Sequence, residues 1–168
     1  PQIDGKEINR FISNEYLWNL NNDAIPRVLE WESDNKRAFF CGEHTGYTRL
    51  SNGPVIPRRS WMLDKEKHSL SVTDLISGLG EHEIEIPMHL SPGVKVKTMY
   101  DTYALLEAND KNFCIEWEGH QCWRLSIEAA RVSPSYGRVI RTSRLVWRTR
   151  GILPIQLSAV SYTHLRAH

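Results

Sequence analysis

Apolar and polar residues alternate with period two through much of the chain, the signature of strands that bury one face. In His82-Glu83-Ile84-Glu85-Ile86-Pro87-Met88-His89-Leu90 the even positions are mostly apolar, and the odd ones are Glu, Glu, Pro and His. Between Asn112 and Glu118 the apolar set is Phe113, Ile115 and Trp117, with Cys114, Glu116 and Glu118 facing the other way. Trp123, Leu125, Ile127 and Ala129 alternate likewise with Arg124, Ser126, Glu128 and Ala130. Further strands are predicted over residues 36–40, 56–63, 69–73, 94–97, 103–107 and 144–148. Turn chemistry separates them: Ser51-Asn52-Gly53-Pro54, Ser77-Gly78-Leu79-Gly80, Ser91-Pro92-Gly93, Asn109-Asp110 and Ser133-Pro134-Ser135-Tyr136-Gly137. Glu118-Gly119-His120-Gln121 reads as the tip of a hairpin joining two of these strands. The expected core is Ile84, Ile86, Met88, Phe113, Ile115, Trp117, Leu125 and Ile127. Trp61, Trp117 and Trp123 read as core aromatics, whereas Trp18, Trp31 and Trp147 are less settled by pattern.

Helix signals are weak: the stretch from Ile8 to Asn19 is irregular and Asn-rich, with room for a turn or two. Short strands separated by turns predict an all-β fold, an antiparallel β-sandwich of two layered sheets with little helix. At 168 residues, 40% of them hydrophobic, one domain is expected. Lys and Arg total 21 against 20 Asp and Glu, a net charge of +1. That balance predicts no nucleic-acid partner. No apolar run approaches the ~20 residues of a membrane helix, so no membrane partner is expected either. Cys41, Cys114 and Cys122 are too few and too unevenly placed for a disulfide framework. A short loop at the hairpin tip would set Cys122 opposite Trp117, which disfavours a Cys114–Cys122 bond.

Seven histidines raise the question of metal. His82 and His89 are seven apart, on opposite faces of an extended strand, and no His-x-His, Cys-x-x-Cys or His-Glu-x-x-His occurs. No metal, no cofactor and no catalytic residue is predicted within the chain. The densest polar run is Glu43-His44-Thr45-Gly46-Tyr47-Thr48-Arg49. His44, Tyr47 and Arg49 form the candidate substrate-binding set, since Arg pairs with a carboxylate while His or Tyr bonds sugar hydroxyls. A turn at Gly46 is required to bring His44 and Tyr47 to one side. On residue types alone a structural corner, with these groups bonded to backbone, is the favoured alternative. In Arg58-Arg59, one side chain must face the core side, covering Trp61 or pairing with an acid.

The order of these runs resembles the C-terminal region of heparinase II/III-like proteins. The resemblance is carried by Asp4-Gly5-Lys6-Glu7, the run from Ala24 to Glu32, and Glu43-His44-Thr45-Gly46-Tyr47-Thr48-Arg49-Leu50. It continues through Arg58-Arg59, Leu70-Ser71-Val72-Thr73-Asp74, Gly78 to His82, His89-Leu90-Ser91-Pro92-Gly93 and Ser133-Pro134-Ser135-Tyr136-Gly137, covering most of residues 1–157. Such a resemblance implies an N-terminal α/α toroid followed by a layered β-sheet domain. It also implies β-elimination on uronate-containing polysaccharide, with proton-transfer groups largely on the toroid. The family's His-x-Asp and His-Asn-Thr metal-type runs are not found here. The chain is therefore expected to be the β-sheet portion of a polysaccharide lyase-like protein, lacking the toroid and inactive alone. Its expected partner is an acidic polysaccharide, met through the longer protein, in the periplasm or outside the cell. A non-catalytic carbohydrate-binding or structural module is the alternative. The domain is expected to span residues 1–158. The run Ser161-Tyr162-Thr163-His164-Leu165-Arg166-Ala167-His168 resembles translated adapter sequence, so residues 159–168 are expected to be a non-native tail.

Overall fold

In the computed structural model the alternation becomes twelve strands and, among the described residues, no helix. The structure describes residues 1–13, 15–16, 18–119 and 123–163. In chain order the strands are β1 (Gln2–Ile3), β2 (Pro26–Ser33), β3 (Arg37–His44), β4 (Val55–Asp64), β5 (Ser69–Gly78) and β6 (Glu81–His89). There follow β7 (Lys95–Met99), β8 (Tyr103–Ala108), β9 (Lys111–Glu118), β10 (Arg124–Ser135), β11 (Arg138–Ile152) and β12 (Ile155–Thr163). A four-stranded sheet runs β1-β6-β11-β10, and an eight-stranded sheet runs β2-β3-β4-β5-β12-β9-β8-β7. Among the described residues between Ile8 and Asn19 there is no helix, and a bridge pairs Phe11 with Leu20.

Turn chemistry sets several of the connections. Asn109 and Asp110 both have positive φ (49° and 60°), as a two-residue primed turn requires, and they join β8 to β9 with Ala108 opposite Lys111. Strands β9 and β10, which the expected tip at residues 118–121 would join, do not pair with each other. Both edges of β9 are already taken, by β8 and β12, so β10 pairs with β11 in the other sheet. His120, Gln121 and Cys122, on which the expected tip falls, lie outside the described residues. Alternation assigns faces to a strand but not partners to its edges. The strand β12 also extends beyond the expected domain edge at Ser158. Ala159 pairs with both Val72 and Trp117, and pairing continues to Thr163; His164–His168 lie outside the described residues.

The core lies between the sheets. Ile84, Ile86, Leu145 and Trp147 from the smaller sheet meet Ile76, Ile115, Trp117, Ile155 and Leu157 from the larger. Trp117 and Trp147 pack edge to face, 5.7 Å between ring centroids. Of the expected core, Ile84, Ile86, Ile115 and Trp117 are buried, while Met88, Phe113 and Leu125 are partly buried against them. Two expectations are corrected. Ile127 is 43% exposed, because β10 is the edge strand of the smaller sheet. Trp61 is 47% exposed although it stands on the same face as Trp117. Eight strands cannot all be covered by four, and the row Trp31–Phe40–Trp61 is left open at the β2–β4 end. Trp123 is half-buried, and its Nε1 donates to the Gln156 carbonyl at 3.1 Å.

The outward face of the smaller sheet is a lattice of charge. Arg148 bonds Glu85 (3.0 Å) and also reaches Glu128, while Arg144 bonds Glu128 at 2.8 Å. The two guanidiniums, Arg148 first, hold the Glu128 carboxyl down at about 2.

Candidate functional site

Strand β3 ends at His44, and the chain reverses through Thr45-Gly46-Tyr47-Thr48, closed by the Thr48 amide donating to the Thr45 carbonyl at 2.9 Å. Gly46 permits this because its Cα passes against the N-terminal segment. A Cβ there would stand 2.8 Å from Ile8 Cγ2 and 2.9 Å from the Ile8 carbonyl oxygen. The reversal brings the three predicted residues together. The His44 and Tyr47 rings are 5.8 Å apart, and the Arg49 guanidinium sits 5.9 Å over the Tyr47 ring.

Their polar groups are engaged with backbone. Tyr47 is fully buried, and its hydroxyl donates to the Lys6 carbonyl at 3.1 Å. Burial pushes that hydroxyl's pKa up, which keeps the donor proton in place. Arg49 donates to the carbonyls of Ile8 (3.0 Å) and Glu7, with Asp23 3.9 Å away. Asp23 is bonded by Arg10 at 2.8 Å, and chiefly that hydrogen bond brings its carboxyl down to about 2. Thr45 completes the clamp, accepting from the Ile25 amide and donating to the Asp23 carbonyl. His44 is half-buried, its Nδ1 accepts from the Gly46 amide at 3.2 Å, and burial lowers its pKa. Residues 1–25 are thus tied to the sheet by the run predicted to bind substrate. Of the three, His44 alone lines an open recess of about 340 Å³ between Phe40, Val28, Pro57 and Arg59.

Arg58 and Arg59 separate to opposite faces as strand geometry demands. Arg58 and Arg27 share the Glu43 carboxylate on one side. Arg59 faces the core side and grips buried Asp74 through two bonds of 2.7 and 2.8 Å, the pairing with an acid expected of one member.

A second polar constellation escapes sequence reading. His82 is 1% exposed, with Nδ1 2.8 Å from Asp4 Oδ2 and Nε2 2.9 Å from the Leu79 carbonyl oxygen. Asn52 Nδ2 reaches Asp4 Oδ2 (3.1 Å) and the Glu81 carbonyl (3.0 Å), and the Glu83 amide donates to Asp4 Oδ1. Burial works against ionising Asp4, yet hydrogen bonds from His82, the Glu83 amide and Asn52 outweigh it and leave the carboxyl below its ordinary value. Gly80 lets the two turns meet: its φ is +90°, and a Cβ would stand 2.0 Å from the Asn52 carbonyl oxygen. Nothing local in the sequence links Asp4, Asn52 and His82. Among the described residues no cluster of three or more His, Cys, Asp or Glu is placed to hold a metal. Cys41 and Cys114 are free thiols, and Cys122 lies outside the described residues.

A family model described as heparinase II/III-like, C-terminal, matches residues 2–162. Among solved structures, the fold is similar to a heparinase III described as the BT4657 gene product, with a TM-score of 0.70 at 14% identity over 82% of this chain. It is also similar to the heparan sulfate lyase HepC from Pedobacter heparinus, with a TM-score of 0.66 at 16% identity over 84% of this chain. The match covers 21% and 22% of those chains, so this chain spans about a fifth of their length. No curated protein matches it.

Proposed function

This chain belongs to the heparinase II/III-like C-terminal family, and from that premise we propose that it is the β-sheet portion of a polysaccharide lyase-like protein. The protein acts by β-elimination on acidic, uronate-containing polysaccharide, in the periplasm or outside the cell. The observation that carries the reading is the family match across residues 2–162, supported by a fold shared with a heparan sulfate lyase. β-Elimination needs a group to neutralise the uronate carboxylate, a base for the C5 proton and an acid for the leaving oxygen. Within the corner the hydroxyl of Tyr47 and the guanidinium of Arg49 are committed to backbone carbonyls, and Arg59 is committed to Asp74. The chain therefore contributes a wall of the substrate cleft rather than the proton-transfer groups. In this role His44 faces the sugar across the recess, while Tyr47 and Arg49 are positioning residues that hold His44 and residues 1–25 in place. A non-catalytic carbohydrate-binding or structural module is the second reading, favoured by that same commitment of polar groups to backbone.

Incubated alone with heparin, heparan sulfate or alginate, the chain should give no rise in unsaturated-uronate absorbance. Joined to the upstream region of its own gene it should give one. A sustained rise from the isolated chain overturns the wall assignment; no rise from the joined protein on any of the three supports the module. Tyr47→Phe separates positioning from sugar contact. Removing the hydroxyl leaves the Lys6 carbonyl unpaired at a cost of about 1 kcal/mol, roughly 2–4 °C in melting of the isolated chain. Turnover by the joined protein should fall only with its folded fraction. Lower turnover at unchanged melting would instead put the hydroxyl on the substrate.

A further inference from the structure

The net charge of +1 conceals a segregation. Between Arg124 and Ile152 lie seven arginines and one carboxylate, Glu128, so the rest of the chain carries fourteen basic residues against nineteen acidic ones. The hairpin β10–β11 is thus strongly positive on a protein that is otherwise negative. Three of the four arginines of its inner half are paired, Arg144 and Arg148 with Glu128 and Glu85 and Arg150 with Glu81, and Arg124 is exposed. Among the described residues those of its outer half are not paired.

Strand β6 accompanies β11 no further than the pairing of His89 with Arg144. The last ties to the body are the Leu90 amide donating to the Ser143 carbonyl (2.9 Å) and Thr142 Oγ1 donating to the Leu90 carbonyl (2.7 Å). From there β10 and β11 pair only with each other out to the turn at Tyr136 and Gly137. A bare two-stranded ribbon is marginal in water. This one also sets Arg131 directly opposite Arg141, a like-charge pair that costs stability unless something negative lies between them. No acidic residue occurs from Ala129 to Ser143, and among the described residues Arg131, Arg138 and Arg141 make no ion pair. At the base of the ribbon opens a recess of about 670 Å³, lined by His89, Arg131, Arg141, Thr142 and Arg144 with no carboxylate on its wall.

We propose that this ribbon is an anion-binding arm that takes the carboxylate or sulfate groups of a polysaccharide chain, with one group seated between Arg131 and Arg141. Arg138, three residues along β11 and so on the other face of the ribbon, adds positive charge nearer the tip. The choice of a glycan rests on the polysaccharide reading above; the anion chemistry rests on the arm itself. Planar guanidinium forks match carboxylate and sulfate oxygens two at a time. Single-stranded nucleic acid would call for a row of stacking rings, and the arm offers one exposed aromatic, Tyr136.

The test is calorimetric titration of the whole chain with heparin oligosaccharide of defined length, run with alginate in parallel to separate sulfate from carboxylate recognition. The variants are Arg131→Gln/Arg138→Gln/Arg141→Gln and, as a control of equal charge, Lys36→Gln/Lys67→Gln/Lys95→Gln, three exposed lysines outside the hairpin. The arm variant should bind at least about tenfold more weakly, and its slope of log affinity against log salt should flatten by about two to three, on the scale of one per lost ionic contact. Its melting should stay level or rise slightly, since a repulsive pair is removed. The lysine control should bind within about threefold of the parent, surface charge being screened at a distance. Equal losses in both variants would reduce the effect to net charge and overturn the arm. So would failure of the parent chain to bind either polysaccharide, and a DNA duplex that competes as well as heparin would overturn the glycan assignment. These outcomes are independent of lyase activity, which is read by product formation in the joined protein.

Discussion

Replacing His82 with phenylalanine is expected to lower the melting temperature by roughly 4–16 °C, the equivalent of about 2–4 kcal/mol for two hydrogen bonds lost at a buried ring. Phenylalanine keeps a planar ring but is larger and has no nitrogen, so the loss combines the missing hydrogen bonds with crowding at a buried site. Both ring nitrogens face oxygens, Asp4 Oδ2 at 2.8 Å and the Leu79 carbonyl at 2.9 Å. Asn52 Nδ2 also stands 3.1 Å from Nδ1, so the ring is bonded at both nitrogens. Without it, Asp4 and the Leu79 carbonyl lose their partner, and the first residues of the chain lose one of their ties to β6. Asp4→Asn should cost less, about 1–3 kcal/mol, because an amide oxygen still accepts at the Oδ2 position while the Glu83 amide loses its acceptor. The pH dependence has a definite sign. The Asp4 carboxyl titrates below its ordinary value of 3.8 in the folded chain, so its contribution is complete above that value and is lost as pH falls through the lowered one. Melting followed by circular dichroism should show the acid limb flattened in Asp4→Asn. A His82→Phe chain that melts within 2 °C of the parent, about 1 kcal/mol or less, would show that the knot adds nothing.

The knot also marks where sequence reading stops. Period-two alternation named the inward face of β6 and β9 because side-chain direction is a local property of an extended backbone. It assigned β9 to a hairpin with β10, however, and it could not see that β12 enters the sheet between β5 and β9. Strand partners are set by contacts far apart in sequence. Edge strand β2 was passed over because all eight of its residues are exposed, which leaves no inward set to detect. The candidate site shows the same division. That Gly46 turns His44 and Tyr47 together was legible, since on an extended strand the two side chains would face opposite ways. That Tyr47 and Arg49 would spend their hydrogen bonds on Lys6, Glu7 and Ile8 was not, because that segment carries no periodic signal.

The net charge conceals the arginine hairpin for a related reason. A total of +1 predicts an indifferent surface only if the two signs are mixed. Here the arginines gather on one hairpin and the carboxylates elsewhere, and long-range attraction follows the local excess rather than the sum. The arm and the corner stand on different sheets and have different chemistry: free guanidiniums on one, satisfied polar groups on the other.

Trp147→Ala and Trp61→Ala should differ several-fold in cost, although sequence alternation favours Trp61 as the core residue. Trp147 is 2% exposed and packs its ring against Trp117, so truncation opens a cavity between the sheets and costs about 3–5 kcal/mol, roughly 6–20 °C. Trp61 packs against Phe40 at 5.8 Å but keeps 47% of its surface in water, and its loss should cost about 1 kcal/mol or less, under roughly 4 °C. The contrast comes from architecture rather than residue type. One cross-strand row runs Trp31, Phe40, Trp61, Val72, Ala159, Trp117, and its Trp117 end packs edge to face on Trp147 of the smaller sheet. Equal losses in the two variants would mean that the β2–β4 face is covered in solution as well as the centre. A larger loss for Trp61 would place the sandwich's true interior over β4 and sink the register described for the smaller sheet.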